Sequence, residues 1–359
     1  MLELRSPAGA FEQVEAYLRE RGFFAPGGEE LVADLYLGYG LAEELRRLGR
    51  PAAPAEPCPL PLAAVRVRRP SGLPARPAGG FEVGAWELTW PEAEYEAAIL
   101  AVREAIARGD VYQVNLVQHL AAPFRGDPRG LAAALARFRP LAPYLAGDGW
   151  AIASASPELF LARRGRRVWT MPIKGTRRLG AADDLREAEK DAAEHVMIVD
   201  LERNDLSRVC EPGSVRWPEL MAERELAGVT HLVSRVQGTL RTGVGLAELL
   251  RATFPGGSVT GAPKLAALDE IARLEPVGRG ASMGALGTVQ GNGDLELALT
   301  IRTFAVARHR IHLWVGGGVV WDSVPAEEIA ESWTKARPLL AAIGAPAAEP
   351  ATASGAGAR

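Results

Sequence analysis

The chain has 359 residues, 48% hydrophobic and 24% charged, with a formal net charge of −3 from 41 basic and 44 acidic side chains. This is ordinary globular composition, enough for one large core or two smaller lobes, and it argues against a nucleic-acid or membrane partner held by bulk charge. Cys58 and Cys210 are the only cysteines; they form neither a disulfide framework nor a zinc site and suit a reducing cytosol. Met1-Leu2-Glu3-Leu4-Arg5 lacks the apolar core of a signal peptide, and no apolar run nears the ~20 residues of a membrane span. A soluble cytoplasmic protein is expected.

Helical patterns are predicted over 11–21 and 30–48. Residues 51–80 are rich in Pro, Ala and Arg around Cys58-Pro59-Leu60-Pro61 and read as an extended connector or edge excursion. The texture is dense from Phe81 to Ile343, and the Ala/Pro/Gly/Ser-rich tail is predicted to be disordered. Three parts are thus expected: a reduced N-terminal segment with its connector (1–80), the main domain (81–343) and the tail (344–359). Pro91 opens a helix carrying Tyr95, Ile99, Val102 and Ile106 on one face, and Gly109 ends it. Residues 111–118 alternate, with Tyr112, Val114 and Leu116 opposite Gln113 and Asn115. Strands are predicted at 150–155, 159–162, 167–171, 295–304 and 311–320, and helices at 184–208, 246–253, 264–274 and 326–343. Hairpins with helices between them indicate an α+β fold with largely antiparallel sheets.

The chemistry gathers in a few stretches. In Met171-Pro172-Ile173-Lys174-Gly175-Thr176-Arg177-Arg178, Pro172 and Gly175 predict an abrupt turn that lifts Lys174 out of the ladder. Apolar neighbours and two arginines would favour loss of its proton and make it a nucleophile; a solvated loop lysine is the plain alternative. Arg163-Arg164-Gly165-Arg166-Arg167 reads as a hairpin tip, which would bring Glu158 of Ser156-Pro157-Glu158 to the same sheet edge as Lys174, a proton donor beside an attacking amine. Asp191 and Glu194 lie three apart on one helix face, and Glu328 and Glu331 on another. Two such pairs can hold one hard divalent cation, or each is a solvated helix face. Phe254 to Lys264 departs from a phosphate-loop pattern, because Ala262-Pro263 follows Gly261; it remains a Gly/Ser/Thr loop suited to a small anion, as does Gly316-Gly317-Gly318 after a strand. Thr300 and Arg302 share a predicted strand face from which the guanidinium could clamp a carboxylate. His231 sits among apolar residues.

In this order the segments resemble the chorismate-utilising enzymes. The resemblance runs through Gly109 to Leu116, Ser156-Pro157-Glu158, Pro172 to Arg177, Glu194 to Asp205, His231 to Ser234, Gly257 to Lys264, Ile301-Arg302-Thr303, and Gly316 through Ser323 to Lys335, and covers roughly 81–343. It implies a sandwich of two largely antiparallel sheets flanked by helices, with Mg²⁺ and chorismate in a central cleft. By motif position it makes Glu194 and Glu331 metal ligands, with Asp191 and Glu328 supporting them through water. Arg302, Thr260 and the Gly316–Gly318 backbone would hold the carboxylates of chorismate, and His231 would lie near the ring.

Within that family, anthranilate synthases carry Ala where Lys174 stands, and isochorismate and salicylate synthases carry a water-activating lysine where this chain has Gln113. The combination here is similar to the aminodeoxychorismate branch. The implied chemistry is attack of Lys174 at C2 as the C4 oxygen leaves, protonated by Glu158, followed by addition of ammonia at C4 and expulsion of the lysine. The chain carries no Cys in a nucleophile elbow, so the resemblance implies a separate glutamine amidotransferase subunit, in p-aminobenzoate and folate synthesis. Ser282-Met283 and Thr288 replace the family's usual aromatic residues, and no counterpart of a tryptophan-binding segment is found, so no tryptophan inhibition is expected. The alternatives are anthranilate synthase component I, a pyridoxal phosphate enzyme using Lys174, and a non-catalytic chorismate-binding protein.

Overall fold

The structure is a computed structural model that describes residues 1–28, 30–46, 49–69, 78–178, 185–226 and 229–345, without the side chains of 175–178, 185–191, 225–226 and 229–231. The tail predicted to be disordered lies, from residue 346 on, outside the described residues. Seven helices are described: α1 (Ala10–Arg19), α2 (Glu92–Ala107), α3 (Arg129–Leu135), α4 (Leu185–Ser207), α5 (Leu246–Thr253), α6 (Lys264–Leu274) and α7 (Pro325–Ala342). Their ends follow from local chemistry. Pro91 precedes α2 and Glu92 and Glu94 fill its first turn, while α7 begins on a proline with Glu327 and Glu328 in its first turn, as the helix dipole and the orphan N-terminal amides favour.

Two antiparallel sheets carry these helices. The ten-stranded sheet runs in the order Leu2–Leu4, Ala63–Arg68, Val32–Leu37, Ala285–Gln290, Leu295–Leu299, Leu159–Arg164, Arg167–Met171, Val229–Thr239 and Ile173–Arg178, with Arg216–Leu226 also on Val229–Thr239. The eight-stranded sheet runs Gly261–Ala262, Gln113–Gly126, Arg310–Val319, Thr303–Ala307, Trp150–Ser154 and Tyr144–Gly147, with Phe81–Val83 and Glu87–Leu88 also on Gln113–Gly126. One continuous apolar core draws residues from both sheets, among them Leu35, Leu161, Leu297, Leu116, Ile152 and Leu313. Helix α4 packs on Val229–Thr239 and Ile173–Arg178 of the first sheet and touches Gly261–Ala262 of the second; α7 lies on Arg310–Val319. The fold is therefore α+β with antiparallel sheets, as the pattern of elements predicts. Among the described residues no helix is long and apolar enough to cross a membrane.

Four local expectations are corrected. The helical pattern over 30–48 is a strand, Val32–Leu37, followed by a 3₁₀ segment, Tyr39–Leu45. Every residue of that strand is buried, and a strand covered on both faces loses the alternation that would distinguish it from a helix. The connector over 51–80 contains the strand Ala63–Arg68, whose Ala63, Ala64 and Val65 are wholly buried between Leu2–Leu4 and Val32–Leu37. The single strand predicted at 295–304 is two, Leu295–Leu299 and Thr303–Ala307, and the chain changes sheet between them. Arg302 makes the change with φ 51°, and the Thr300 hydroxyl donates to the Ala281 carbonyl at 2.5 Å, so Thr300 and Arg302 share no strand face. Finally, Gly316–Gly318 lies inside the strand Arg310–Val319 and not after it.

A buried ion pair ties α6 to the second sheet. Arg279 Nε and Nη2 donate to Glu275 Oε2 and Oε1 at 2.9 and 2.7 Å, and its Nη1 and Nη2 reach the carbonyls of Val259 and Asn115 at 2.8 and 2.6 Å. Glu275 Oε1 also accepts from the Val117 amide at 3.1 Å. Burial would push Arg279 toward neutrality, but Glu275 outweighs it and the guanidinium stays charged. The pair thereby fixes the strand beginning at Gln113 against the loop carrying Ser258 and Thr260. Removing one half leaves an uncompensated buried charge. Arg279→Met is expected to cost about 3–5 kcal/mol in denaturant unfolding; a loss under ~1 kcal/mol would show that the pair does not hold this junction.

Candidate active site

Lys174 does not sit in a turn. It lies in the strand Ile173–Arg178, opposite Leu232, and the register slips between Lys174 and Thr176, so that Gly175 is the extra residue of a bulge. The turn reading took Pro172 and Gly175 as a break, whereas the chain passes directly from Arg167–Met171 into a second strand on the same neighbour. The bulge aims Lys174 at α4. Its Nζ donates to Glu194 Oε1 at 2.6 Å, and Gln113 Nε2, from the other sheet, donates to the same oxygen at 2.6 Å.

Sterics explain why glycine stands beside this contact. A Cβ at Gly318 would lie 1.8 Å from Gln113 Nε2 and 2.6 Å from Glu194 Oε1, and one at Gly316 would lie 1.9 Å from the Leu116 carbonyl. A side chain at 316 would strike backbone, and one at 318 would push the ends of Gln113 and Glu194 apart. Gly317 turns instead toward α7, where its Cβ would find Lys335 Nζ at 3.4 Å, Glu328 Oε2 at 3.5 Å and Glu331 Oε1 at 3.8 Å. Lys335 Nζ is 2.7 Å from Glu331 Oε1 and donates to the Gly316 carbonyl at 2.9 Å, and Ser323 Oγ donates to Glu328 Oε1 at 2.6 Å.

The electrostatics correct the expected protonation of Lys174. Burial does push the ammonium pKa down, but the charge and hydrogen bond of Glu194, with Glu158 and Glu331 behind, outweigh it, and the net direction is up. Glu194 mirrors this: burial raises it, while Lys174, Lys335 and Gln113 carry it below the ordinary carboxylate value. The amine is thus held protonated by carboxylates, not neutralised by other cations as its sequence neighbours suggest. Glu158 goes the other way. It is buried and accepts from Ser258 Oγ at 2.8 Å; burial dominates over Ser258, Lys174 and Arg302, and its pKa rises. A carboxyl whose pKa is raised, in the field of an ammonium group, is shifted in the direction a proton donor requires.

The remaining predicted positions fall around this centre. Arg302, at the change of sheet, lies in the field of Glu158, and burial pushes its guanidinium pKa down. Thr260 is buried, and its hydroxyl donates to the carbonyls of Gly256 and Gly257 at 2.9 and 3.2 Å, so it organises its own loop. The backbone of His231 stands opposite Thr176, and Asp191 lies on α4 one turn before Glu194; the side chains of both lie outside the described residues. Sequence reasoning missed Ser258, the donor to Glu158, and Lys335, whose spacing of four from Glu331 was a usable signal. It also missed Asn115 and His195. Buried Asn115 Oδ1, Gln113 Oε1 and both ring nitrogens of His195 have no protein partner, which leaves capacity for a polar ligand beside the ion pair.

Oxygen donors of this kind suit a hard divalent cation, and Glu194, Glu328 and Glu331 all border Gly317 and Gly318. Among the described residues no three acidic, imidazole or thiol groups converge into a closed metal site. Each of the three acids is compensated by a lysine or a hydroxyl.

Comparison with known proteins gives concordant results. Anthranilate synthase component 1 of Streptomyces coelicolor is 40% identical over 310 residues, 83% of this chain and 58% of that protein. Aminodeoxychorismate synthase component 1 of Klebsiella aerogenes is 40% identical over 266 residues, 71% of this chain and 59% of that protein. The chain thus spans about three-fifths of the length of these curated relatives. The crystal structure of anthranilate synthase component I from Streptococcus pneumoniae shares the fold, with a TM-score of 0.73 at 24% identity over 90% of this chain and 84% of that one. The family model described as chorismate binding enzyme matches residues 56–341. That match takes in every strand of the second sheet and all three residues of the Lys174–Glu194–Gln113 contact, and the chain belongs to the chorismate binding enzyme family.

Proposed function

We propose that this chain is the chorismate-aminating subunit of an aminodeoxychorismate synthase. Relatives named for the amination at C4 and for anthranilate formation match at the same 40% identity, so identity alone does not choose between them. The observation that carries the reading is the position of Lys174. The residue that distinguishes the aminating branch is half-buried against Glu194 and lies in the field of Glu158, whose pKa is raised, with Gln113 and not a lysine at the other discriminating place.

The residues divide the work as follows. Glu158 holds a proton at the atom from which departing hydroxide must take one, since hydroxide is a poor leaving group. Lys174 is the nucleophile that splits one difficult substitution into two easier ones, by bonding at C2 and being displaced when ammonia adds at C4. Its ammonium must first leave Glu194 and lose its proton, so opening of that ion pair is the activating event. Ser258 orients Glu158. Arg302, with Thr260 and the Gly316–Gly318 backbone shaping the cleft, offers a cation for a substrate carboxylate, and His231 would lie near the ring. Mg²⁺, held by Glu194 and Glu331 with Asp191 and Glu328 behind them, would supply the charge that draws electron density from the ring carboxylate. Ammonia would come from a separate glutamine amidotransferase subunit, in p-aminobenzoate and folate synthesis. The free, buried Cys58 and Cys210 accord with a reducing cytosol.

Anthranilate synthase is the alternative, and the product decides. Incubation with chorismate, Mg²⁺ and an ammonium salt is expected to yield 4-amino-4-deoxychorismate by mass; fluorescent anthranilate as the main product would overturn the proposal. Lys174→Ala is expected to lower that activity by at least about 10³-fold, in line with removal of a group essential to the transition state, while calorimetry still registers chorismate binding. Full turnover in that variant would exclude a covalent lysine. Glu194→Gln and Glu331→Gln should each lose both turnover and the response to added Mg²⁺, and a variant with a normal Mg²⁺ titration removes that residue from the ligand set.

A further inference from the structure

Eight residues beyond Glu194 on α4, Glu202 is 7% exposed and turned inward. One of its oxygens accepts from the Thr170 hydroxyl at 3.0 Å. Lys264, the cation in whose field it lies, is engaged elsewhere, bonded to Asp205 Oδ2 at 2.6 Å and to the carbonyls of Thr253 and Pro255 at 3.2 and 2.7 Å. A buried carboxyl satisfied by a hydroxyl and not by a cation keeps its proton. Burial, followed by the charge of Glu158, pushes its pKa up to about 8.

Its surroundings lead toward Glu158. Glu202 and Thr170 line a small cavity with Phe160, Asp205, Thr253 and Gly257. A Cβ at Gly257 would lie 3.3 Å from Glu202 Cγ, and the next residue, Ser258, donates to Glu158 at 2.8 Å. On the sheet side Thr170 belongs to Arg167–Met171, where Met171 pairs with Leu159, the neighbour of Glu158. The two acids therefore flank one turn of backbone, with a hydroxyl on each side. The titratable groups that face Glu202 are Glu158, Asp205 on its own helix, and Lys264 of α6.

We propose that Glu202 is the proton reservoir that recharges Glu158 after each turnover. When Glu158 has given its proton to the leaving C4 oxygen, forming water, one proton passes from the Glu202 carboxyl through cavity water and the Ser258 hydroxyl to the Glu158 carboxylate. Ser258 accepts one proton as it donates another, and Glu202 regains its proton from solvent. No electron changes hands, and the ring substitution is untouched. Glu202 is a positioning residue that acts through Glu158, so the inference rests on the reading of Glu158 as the acid.

Two measurements test it. In the free protein, infrared pH titration should show a protonated-carboxyl band persisting to neutral pH that is lost in Glu202→Gln and titrates at lower pH in Glu158→Gln, where no second carboxyl can ionise beside it. A band insensitive to Glu158→Gln would overturn the coupling. In turnover, Glu202→Gln should lower kcat about 10-fold or more, within the range of proton-transfer effects, leave KM for chorismate unchanged, and abolish the fall in activity as pH rises through about 8. Thr170→Val should resemble it in part and Thr170→Ser should restore it, which a packing role would not predict. Unchanged kcat and pH profile in a folded Glu202→Gln protein would reject the relay alone. Infrared coupling in a wild-type protein that does not turn over chorismate would reject the function and the relay with it.

Discussion

One carboxylate oxygen organises the centre of this molecule. Glu194 Oε1 takes 2.6 Å hydrogen bonds from Lys174 and from Gln113, in a space that a side chain at residue 318 would enter. Charges removed from water are unfavourable unless they are paired and hydrogen-bonded with good geometry, and this arrangement meets both conditions. It also brings together three separate parts of the fold. Lys174 comes from the first sheet, Gln113 from the second, and Glu194 from the helix that touches both. Residues 81 apart in sequence, Gln113 and Glu194, meet because two antiparallel sheets share a single core.

The same logic grades Glu194, Glu158 and Glu202. Glu194, beside a lysine, is held below the usual carboxylate value. Glu158, beside a serine with charges farther off, is raised, and so is Glu202, beside a threonine. Half-buried Glu194, with a lysine as its donor, thus shifts down, while buried Glu158 and Glu202, with hydroxyl donors, shift up. Divergent environments of this kind are how one site runs acid and electrostatic chemistry together.

Much of this could be read from the chain alone, and the limits have physical causes. The helix positions of 191 and 194 and of 328 and 331 were legible because helical spacing of three is a local property. The hairpin around Gly165 was legible too, and it brings Glu158 into the field of Lys174. What failed depended on partners distant in sequence. Lys174 follows Ile173 and precedes Gly175, which suggested an apolar pocket, yet its partner is 20 residues away on a helix. Val32–Leu37 read as helical because both its faces are covered, and only the neighbouring strands reveal that. Arg302 kept the alternation of a strand while its φ of 51° carried the chain into another sheet.

Charge balance imposes a last constraint on how such a cleft can work. Glu194 and Glu331 are each matched by one lysine, Lys174 and Lys335, and Arg302 lies in the field of Glu158, a carboxyl whose pKa is raised. The proposed substrate, chorismate, carries two carboxylates. If Lys174 is to attack, it must become neutral, and the cleft loses a cation at the moment an anion of two charges arrives. In a medium of low dielectric such a deficit is costly, and under the proposed function a cation bound at Glu194 in place of Lys174 would offset it. On the proposed function, activation of the nucleophile and binding of that cation would be two sides of one exchange at a single carboxylate.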